Sequence, residues 1–506
     1  MTRVPPSAPP GITFTRYVLR FTLHTHKSFD ARCSCSIFSR VNAFDFDVAI
    51  IGGGSGGYAA ARTAAGAGLN TAVIEGGKEV GGLCILRGCM PTKALLYAAD
   101  VIHLARHANT WGLRAPEVSF DFARVMARKN SMIKGFADDR VQQLISGKFK
   151  FIRALAHFVD SHTVALSNGE KITAGSFIIS TGSVVSPPPL PQLKQAGYLT
   201  SDEALTLIAP PKSLIVLGGG AVAVEFAQFF ARFDTQVIVV QRSEHILRGF
   251  DTDAAAELER VFRRDGMSVF TGTKLVDAWR EGNLKGVTFE HNGKTIRVAA
   301  EEILFALGRT PNTAGLHLEK AGVTTEGPRI VTNPQMQTSA PHIYAAGDCT
   351  GPHEIVHIAV QQGEIAAHNI AHPAEMRRID YRLLAQVMFT DPQIGTVGLT
   401  EKEAKARNVP FLAARYPFND HGKSLIMDAK DGFVKLLADP KTGEILGGCC
   451  VGPMGGELIH EIIAAMAKRM TVHELAAMPH YHPTLAEIWT YPAEELAGQI
   501  AVEQNR

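Results

Sequence analysis

Two segments of the chain follow one pattern: a short apolar strand, a glycine-rich turn, an alanine-rich helix and a second apolar strand. The first segment begins at Asp45 as DFDVAIIGGGSGGYAAARTAAGAGLNTAVIE, and the second begins at Ser213 as SLIVLGGGAVAVEFAQFFARFDTQVIVVQR. Glycines at this spacing form a tight turn, let a pyrophosphate approach the backbone and let the helix pack against the strand. The repeat therefore predicts two Rossmann-like βαβ units, each able to bind a dinucleotide.

The glycines of the two turns, and the residue that ends the first unit, are candidate nucleotide ligands. Glu75 follows the second strand of the first unit, where it is placed to bind ribose hydroxyls. In the second unit Ala223 replaces the third glycine, which loosens helix packing slightly and is tolerated. A glycine-rich turn that binds nothing is the alternative, and the flanking strands and helices argue against it. The candidate ligands are Gly52, Gly54, Gly57 and Glu75 in the first unit and Gly218 and Gly220 in the second.

The chain has 506 residues, which is too long for one hydrophobic core and indicates three or four domains. Its 51 basic and 49 acidic residues nearly balance, so no charged field favours nucleic acid as a partner. The most apolar stretch, 213–230, contains three consecutive glycines and a glutamate, so we predict no membrane span. Seven cysteines are an odd and sparse set, which argues against a secreted disulfide framework and for a reducing compartment, the cytoplasm.

Residues 1–43 differ from the rest of the chain, because six basic residues stand there with a single acidic one, Asp30, among serines, threonines and prolines. This composition suits a transit peptide, which would place the protein in a mitochondrial or plastid matrix. The alternative is a disordered leader, such as an upstream start codon would add. Both interpretations stay open, and Cys33 and Cys35 within the segment are taken as incidental.

The segment GGLCILRGCMPTK, which follows the first unit, holds Cys84 and Cys89 five residues apart. Two buried thiols or half of a zinc site are the alternatives to a catalytic pair. Zinc pairs usually sit two to four residues apart and need a second pair, and only Cys449 and Cys450 stand together elsewhere, so we predict no metal site. On a regular helix a five-residue step turns about 140°, which would carry the sulfurs beyond disulfide reach, so the backbone must be irregular here.

The residues around this pair allow the irregular backbone and favour a reactive thiol. Gly81, Gly82 and Gly88 permit the irregular path, and Pro91 suits the first turn of a helix that follows. The N-terminus of that helix and the charge of Lys93 would lower the pKa of a nearby thiol. We therefore predict that the two cysteines form a redox-active pair.

The same segment resembles the active-site motif of the class I pyridine nucleotide-disulfide oxidoreductases, which include dihydrolipoamide dehydrogenase, glutathione reductase and mercuric reductase. The resemblance runs from about residue 45 to about residue 500. It implies that Cys89 lies against the flavin of FAD and forms a charge-transfer thiolate, while Cys84 exchanges with substrate. Lys93 resembles the lysine that sits near flavin N5, and Glu225 matches the carboxylate paired with it. A buried lysine without such a partner would be costly.

Shorter motifs are similar to other parts of the family. The resemblance implies that STG and ALGRTPN mark where the chain leaves and re-enters the FAD domain, and that the aspartate of AAGDC binds ribityl hydroxyls. VMFTDPQIGTVGLTEKEA, which starts at Val387, resembles the opening of the family's dimerisation domain. The further FAD ligands assigned in this way are Thr181, Gly182, Gly308 and Asp348.

The segment HYHPTLAEIW matches the family's HxHPTxxE signature at His480, His482, Pro483, Thr484 and Glu487. A lone histidine is more often structural, but five matched positions indicate that His482 is a general base whose imidazole Glu487 orients. The resemblance implies that this pair reaches the cysteines of the opposite subunit of a homodimer. It also implies that the His482–Pro483 bond is cis.

These patterns predict an α/β protein with two Rossmann-like FAD- and NAD(P)-binding domains and a C-terminal α+β dimerisation domain. The run SPPPLP cannot lie inside a helix or a central strand, so it is interpreted as a connector between domains. The predicted segments are 1–43 for the leader or transit peptide, 44–185 for the first part of the FAD domain, 186–300 for the NAD(P) domain, 301–375 for the FAD return segment and 380–506 for the dimerisation domain.

The end of the second unit bears on the choice of nicotinamide nucleotide. Gln241 stands where an NAD enzyme usually places an acidic ribose ligand, so no carboxylate there repels a 2′-phosphate. Arg242 and Arg248 are spaced like the two arginines that hold the 2′-phosphate in glutathione reductase, and guanidinium groups suit phosphate well. Ordinary surface arginines are the alternative. The sequence favours NADP, with NAD as the alternative.

The residues that bear on the disulfide substrate favour different substrates. Arg62 falls where glutathione reductase uses a substrate arginine, but Glu364 stands where that enzyme has a second one, and its carboxylate would repel glutathione. The chain ends AVEQNR, whereas mercuric reductase normally has a C-terminal cysteine pair, which argues against mercury. The CMPTK and HYHPTLAE segments are most similar to dihydrolipoamide dehydrogenase, which normally uses NAD.

The sequence thus predicts an FAD-dependent NAD(P)H:disulfide oxidoreductase, in which electrons pass from nicotinamide to FAD, to the Cys84–Cys89 disulfide and to a small-molecule or lipoyl disulfide. The alternatives are a dihydrolipoamide dehydrogenase that runs in the oxidising direction with NAD and, with less support, a glutathione reductase-like or mercuric reductase-like enzyme. A flavin-bound scaffold without turnover is the alternative outside enzymes. The intact cysteines, histidine and glutamate argue against a scaffold.

Overall fold

The structure is a computed structural model and describes residues 43–115 and 117–504 of the chain. All but the last residue of the predicted leader, 1–43, lies outside these residues, and so do Cys33 and Cys35. Among the helices of the described ranges, none is both long enough and apolar enough to cross a membrane.

Helices and strands alternate within the two βαβ units, and a run of consecutive strands follows each unit. The α-helices in the described residues are α1 (Ser55–Gly66), α2 (Gly82–Leu86), α3 (Cys89–Arg106), α4 (Phe122–Ile145), α5 (Pro191–Ala196), α6 (Ser201–Ala204), α7 (Ala221–Arg232), α8 (Thr252–Arg264), α9 (Val356–Ala371), α10 (Glu401–Ala406), α11 (Gly422–Ile426), α12 (Gly455–Ala467), α13 (Val472–Ala477) and α14 (Thr490–Gln504). The strands are β1 (Phe46–Ile51), β2 (Thr71–Ile74), β3 (Lys150–Ile152), β4 (Ala156–Phe158), β5 (Thr163–Leu166), β6 (Lys171–Ile179), β7 (Ser183–Val185), β8 (Ser213–Leu217), β9 (Gln236–Val240), β10 (Ser268–Phe270), β11 (Lys274–Glu281), β12 (Leu284–His291), β13 (Lys294–Ala300), β14 (Glu302–Phe305), β15 (Arg309–Pro311), β16 (Thr325–Glu326), β17 (Arg329–Ile330), β18 (Ile343–Ala345), β19 (Ala385–Met388), β20 (Gln393–Gly398), β21 (Leu412–Pro417), β22 (Phe433–Ala438) and β23 (Ile445–Gly452).

The first predicted βαβ unit forms the centre of a sheet in the order β3-β2-β1-β6-β5-β4, with β18 beside β6. β1 pairs in parallel with β2 and with β6, and β18 also pairs in parallel with β6. β2 is buried along its whole length, as expected for a parallel strand that is covered on both faces. β18 therefore brings a distant part of the chain back into the first sheet, as the predicted return segment requires.

The glycine turn between β1 and α1 depends on two close approaches. A Cβ on Gly57 would lie 1.8 Å from the carbonyl oxygen of Gly52, so α1 packs this closely only with glycine there. Gly52 has a φ of +108°, and a Cβ on it would lie 2.2 Å from the carbonyl oxygen of Ser180. The turn thus holds the N-terminus of α1 against the carboxyl ends of β1 and β6.

The second unit builds a separate parallel sheet in the order β10-β9-β8-β14. Its turn repeats the first one, since a Cβ on Gly218 would lie 2.3 Å from the carbonyl oxygen of Ala306. An antiparallel sheet, β11-β12-β13, follows where the sequence alternates strands with Asn and Gly turns. Each unit therefore presents a helix N-terminus at the carboxyl edge of a parallel sheet, the usual place for a dinucleotide.

The C-terminal region is an α+β domain built on an antiparallel sheet in the order β19-β20-β23-β22-β21. α12 packs against β20 and β23, and α14 packs against β21 and α13. The core between them contains Phe418, Ile459, Ile462 and Trp489, none of which has exposed surface. The predicted fold class is confirmed, and the residue bounds of the individual domains remain a prediction.

Candidate active site

The two cysteines lie on either side of a break between two helices. Cys84 is in the short helix α2, and Cys89 is the first residue of α3. Gly88 between them has φ −121° and ψ −113°, and a Cβ on it would lie 3.0 Å from the carbonyl oxygen of Leu83. The backbone is therefore irregular where the spacing predicts it, and each of the two free thiols affects the pKa of the other.

The surroundings give the two sulfurs opposite acidities. The hydrogen bond from Cys84 and the charge of Lys93 lower the pKa of Cys89 to about 7, although burial acts in the other direction. The same hydrogen bond, together with burial, raises the pKa of Cys84 well above its ordinary value. At neutral pH the reduced pair can therefore hold a thiolate at Cys89 and a thiol at Cys84.

Lys93 is paired with a carboxylate from the second βαβ unit. Its Nζ lies 2.7 Å and 2.9 Å from the two carboxylate oxygens of Glu225, which is buried on α7. Oε1 of Glu225 also accepts a hydrogen bond of 3.1 Å from the backbone N–H of Phe389, and the Lys93 ammonium lies 4.7 Å from the centroid of that ring. The pair thus connects α3, α7 and the segment after β19.

A cavity of about 300 Å³ opens beside the cysteines, between the two βαβ units. Where the cavity faces the second unit, it is lined by Ala221 and Phe226 of α7. Two further lining residues, Arg309 and Glu354, were not among the sequence candidates. The predicted residues that line the cavity are Gly54, Cys84, Cys89, Lys93, Gly182, Glu225 and Asp348.

Arg309 belongs to a polar network with Asp348. The hydroxyl of Ser183 donates to Oδ2 of Asp348 at 2.6 Å, and Nε of Arg309 donates to the same hydroxyl at 2.8 Å. Glu354 faces this network, and burial followed by the charge of Asp348 raises its pKa. In ALGRTPN the family resemblance predicts only Gly308 as a ligand, so the sequence gives no signal for the role of Arg309.

The residues at the first unit fit the FAD that the sequence predicts. Glu75 accepts hydrogen bonds from the N–H groups of Gly53 at 2.8 Å and Gly77 at 2.6 Å, which fixes its carboxylate at the end of β2, where ribose hydroxyls would bind. The hydroxyl of Thr181 is buried and has no hydrogen-bond partner, and such a group costs about 1–3 kcal/mol unless a ligand satisfies it. The glycine turn and the N-terminus of α1 suit a pyrophosphate.

The second unit ends in two free cations. Arg242 and Arg248 are both exposed, and neither guanidinium has a partner within the part of the chain that the structure describes. Gln241 carries no charge, and its Oε1 accepts a hydrogen bond of 3.1 Å from the Arg242 N–H. The other predicted residues of this unit, Gly218 and Gly220, stand in the turn before α7. Gly308, directly before β15, has a φ of +116° and does not line the cavity.

The predicted acid–base pair lies in the C-terminal domain. Nδ1 of His482 is 3.0 Å from Oε2 of Glu487, and the His482–Pro483 bond is cis, as predicted. The His482 side chain is 79% exposed, whereas that of Glu487 is 10% exposed. His480 is paired with another carboxylate, since its Nε2 lies 2.6 Å from Oε1 of Glu461. His482 does not line the cavity that holds the cysteines of its own chain.

Arg140 of α4 was also missed by sequence reasoning. Its guanidinium stacks 4.3 Å from the centroid of the Tyr58 ring, and its Nη1 is buried without a hydrogen-bond partner. Burial lowers the pKa of this guanidinium, and α4 packs against α2, the helix that carries Cys84. Arg140 belongs to no motif, and only the packing of the helices brings it to the cysteine.

Comparisons with family models and known proteins agree with this geometry. Residues 46–363 match the model of the pyridine nucleotide-disulphide oxidoreductases, and residues 384–493 match the dimerisation domain of that family. The dihydrolipoyl dehydrogenase of Geobacillus stearothermophilus is 35% identical over 463 residues, which cover 90% of this chain and 97% of that protein. The dihydrolipoyl dehydrogenase of Thermus scotoductus is 36% identical over 467 residues, or 91% and 99% of the two chains.

Solved structures give the same result. LpdA from Mycobacterium tuberculosis superposes with a TM-score of 0.80 at 29% identity, covering 89% of this chain and 99% of that one. The HOCl-induced flavoprotein disulfide reductase RclA from Escherichia coli superposes with a TM-score of 0.78 at 26% identity, covering 88% and 99%. Because both family models match in order and the relatives are covered almost from end to end, the chain belongs to the pyridine nucleotide-disulphide oxidoreductase family and is an FAD-dependent enzyme that acts on disulfides with a nicotinamide nucleotide.

Proposed function

We propose that this enzyme passes electrons from NADPH to a disulfide substrate through the Cys84–Cys89 pair, with Cys84 as the exchanging thiol and Cys89 on the flavin side. The observation that carries the proposal is the position of Cys89, which begins α3 beside the Lys93–Glu225 pair and lines the cavity between the two βαβ units. Bound FAD would supply the two-electron transfer between the nicotinamide and this pair. The protein residues supply the thiol exchange and the proton transfers.

The exchange needs a base for Cys84, because the pKa of this thiol is raised. His482 takes the Cys84 proton, and the thiolate attacks one sulfur of the substrate, forming a mixed disulfide and releasing one thiolate. That thiolate takes the proton back from His482. The Cys89 thiolate then attacks the sulfur of Cys84 and expels the second substrate thiolate, which leaves a Cys84–Cys89 disulfide and a substrate reduced by two electrons.

Glu487 determines which nitrogen of His482 takes part. Its Oε2 lies against Nδ1, so Nε2 is the ring nitrogen left to exchange protons with a thiol. The carboxylate also stabilises the imidazolium that forms. Because His482 is exposed and does not line the cavity of its own chain, the proposal places it at the cysteines of the partner subunit. The match to the family's dimerisation domain supports this homodimer.

Anaerobic titration tests the proposed electron path. The purified enzyme should take up two electrons beyond those of its FAD and develop a long-wavelength charge-transfer band. Cys84→Ser should keep a thiolate beside the flavin without turnover, whereas Cys89→Ser should lose the band and turnover together. A Cys89→Ser variant that retains full turnover with a disulfide would contradict the proposal.

The choice of NADPH rests on the two free guanidinium groups that follow β9. A 2′-phosphate could accept hydrogen bonds from Arg242 and Arg248 without displacing any protein partner. Gln241 offers no negative charge against it. NADH is the alternative, because dihydrolipoyl dehydrogenases are among the similar proteins, and the resemblance to that enzyme favours NAD.

The substrate proposal rests on an ion pair at the position where glutathione reductase binds its substrate. Nη2 of Arg62 lies 2.8 Å from Oε1 of Glu364, so the arginine is already neutralised. A carboxylate of glutathione disulfide would have to displace Glu364, whereas a lipoyl disulfide brings no such charge. We therefore infer a lipoyl-type disulfide as substrate. The oxidation of a dihydrolipoyl group with NAD is the alternative direction.

One assay tests nucleotide and substrate together. NADPH and NADH are each compared against lipoamide and glutathione disulfide, and we expect the highest kcat/KM with NADPH and lipoamide. Arg242→Ala with Arg248→Ala should raise the KM for NADPH at least about tenfold, because two charge-assisted contacts are lost, and leave that for NADH unchanged. Arg280→Ala, an exposed arginine on β11, is the matched control. An unchanged KM for NADPH would mean that the nucleotide assignment is wrong.

The compartment is proposed from composition alone. We infer a reducing compartment, the cytoplasm, and a mitochondrial or plastid matrix is the alternative if residues 1–43 are a transit peptide. Cell fractionation with a C-terminal tag would separate the two.

A further inference from the structure

Glu487 has a second contact that the proposed mechanism does not use. While Oε2 faces His482, Oε1 lies 3.3 Å from Nε2 of a second histidine, His421. The His421 side chain has no exposed surface, and its Nε2 has no other polar partner and no hydrogen bond of standard geometry. A buried ring nitrogen is expected to have a partner, and Glu487 is the group within reach.

The other side of the His421 ring is held by a buried hydroxyl. Nδ1 lies 2.8 Å from Oγ of Ser424, which is buried at the start of α11. Burial lowers the pKa of His421, although Glu487 acts in the opposite direction, so the ring is neutral at neutral pH. A neutral ring satisfies both contacts in one tautomer, in which the Ser424 hydroxyl donates to Nδ1 and Nε2–H points at Glu487.

The environment strengthens this contact. The ring lies between Phe418 and Tyr491, at centroid distances of 6.3 Å and 6.4 Å and nearly perpendicular to both. The charged or titratable groups that act on His421 are Glu487 and His482, and Tyr491 faces it. Low polarity around the ring makes an N–H aimed at a carboxylate more effective than it would be in water.

We propose that His421 is a positioning residue of the acid–base pair: its Nε2–H holds Oε1 of Glu487, which keeps Oε2 directed at His482. This rests on the proposed function, in which the His482–Glu487 pair serves disulfide exchange. A chain of contacts thus runs from the exposed imidazole through Glu487 and His421 to Ser424 in the core. If His421 only filled space in the core, its replacement by leucine or by glutamine would lower disulfide turnover equally.

The test compares His421→Leu, which removes the N–H, with His421→Gln, which can keep an N–H near the position of Nε2. His421→Leu should lower kcat for disulfide reduction about tenfold, because the catalytic imidazole is less well held. The kcat of His421→Gln should stay within about threefold of wild type. Leu should also shift the His482 limb of the pH profile upward, since a carboxylate with fewer hydrogen bonds is more basic. Reduction of the enzyme by the nicotinamide nucleotide should be unchanged in both, because that half-reaction does not use the pair.

Three outcomes overturn the proposal. They are a His421→Leu enzyme with wild-type disulfide turnover, an equal loss of turnover in His421→Leu and His421→Gln, or an equal loss of rate in the reduction of the enzyme by the nicotinamide nucleotide. If His421→Leu does not assemble with FAD, Ser424→Ala carries the test. Removing the hydroxyl that fixes the tautomer should lower disulfide turnover about threefold, and an unchanged rate overturns the proposal.

A double-mutant cycle with Glu487→Ala separates this proposal from the function on which it rests. If His421 acts through Glu487, adding His421→Leu to Glu487→Ala should cause no further loss. A further tenfold loss would show that His421 acts independently, and the proposal fails. If Glu487→Ala alone retains full disulfide turnover, the proposed role of the acid–base pair fails instead.

Discussion

Cys89 and Lys93 stand one helical turn apart at the start of α3, so the lysine charge and the helix N-terminus act on the same sulfur. A hydrogen bond from Cys84 adds to them, and together they lower the pKa of Cys89 to about 7. Because the pKa is lowered from its ordinary value to about 7, a substantial fraction of Cys89 is thiolate at neutral pH, and this fraction is lost as the pH falls through about 7. The charge-transfer band of the reduced enzyme should fade over the same range.

Removing the lysine charge should move this transition. The variant is Lys93→Met combined with Glu225→Gln, because a buried carboxylate left without its lysine would destabilise the fold. Lysine lowers the pKa of Cys89 more than Glu225 raises it, so we expect the midpoint of the band to rise by about half a unit. Absorbance of the two-electron-reduced enzyme as a function of pH measures the midpoint. Lys93→Arg keeps the charge and should leave the midpoint unchanged. An unchanged midpoint in the double variant would show that the Lys93 charge does not lower the pKa of Cys89.

Residues carried by a short motif could be predicted from the sequence, and residues assembled by folding could not. Cys84, Cys89 and Lys93 share one segment, so their spacing and chemistry indicate one group. Glu225 entered only through a family resemblance, because 132 residues separate it from Lys93. Arg140 and His421 belong to no recognisable pattern, and their positions depend on how helices and strands pack, which one sequence does not specify.

At the scale of elements, one buried lysine joins the second βαβ unit to the C-terminal domain. Nζ of Lys435 on β22 lies 2.9 Å from carboxylate oxygens of Asp251, Asp253 and Glu401. Asp251 stands at the start of α8, and its carboxylate also accepts hydrogen bonds from the first N–H groups of α10. Burial acts against the charged lysine, but the hydrogen bonds that it donates to the carboxylates raise its pKa, so it stays protonated.

Lys435→Met should therefore weaken this junction strongly. Three carboxylates would face one another without a cation, and breaking a buried pair in this way lowers the free energy of unfolding by about 3–5 kcal/mol. The loss should shrink in acid, because Lys435 lowers the pKa of Glu401 and its stabilising effect disappears as that carboxyl is protonated. Urea unfolding at neutral and acidic pH measures both effects. Lys274→Met, which breaks an exposed pair with Glu290, should change stability by less than about 1 kcal/mol, and a similar small effect at Lys435 would contradict this role.

Local patterns predicted the elements well, because glycine turns, apolar strands and proline runs act over a few residues. Residues 186–190 of the SPPPLP run lie outside helices and strands, and α5 begins at the last residue of the run, Pro191, where proline fits. The pairing of the strands was harder to predict from the sequence. β18 joins the first sheet beside β6, and the expectation of a returning segment came from the family resemblance rather than from any property of HIYAAGDC.

At the scale of the whole molecule, the two parts of the proposed site do not meet within one chain. The cysteines line the cavity between the two βαβ units, whereas His482 of the C-terminal domain is 79% exposed and does not line that cavity. α3 also carries a row of exposed apolar side chains, Tyr97, Val101 and Leu104, at helical spacing on one face. A surface of this kind is expected to be covered by a partner. A homodimer would cover it and bring each imidazole to the other subunit's cysteines.

Complementation between two inactive variants tests this arrangement. Cys89→Ser and His482→Ala homodimers should each lose disulfide turnover. In a heterodimer of the two, one site has both defects and the other has neither, so a purified heterodimer with two different tags should recover about half of the wild-type activity per dimer, as two-fold symmetry requires. The unsorted mixture should recover about a quarter, since half of randomly paired dimers are heterodimers. If His482 served the cysteines of its own chain, every site in the heterodimer would carry one defect, and the purified heterodimer would be as inactive as its parents.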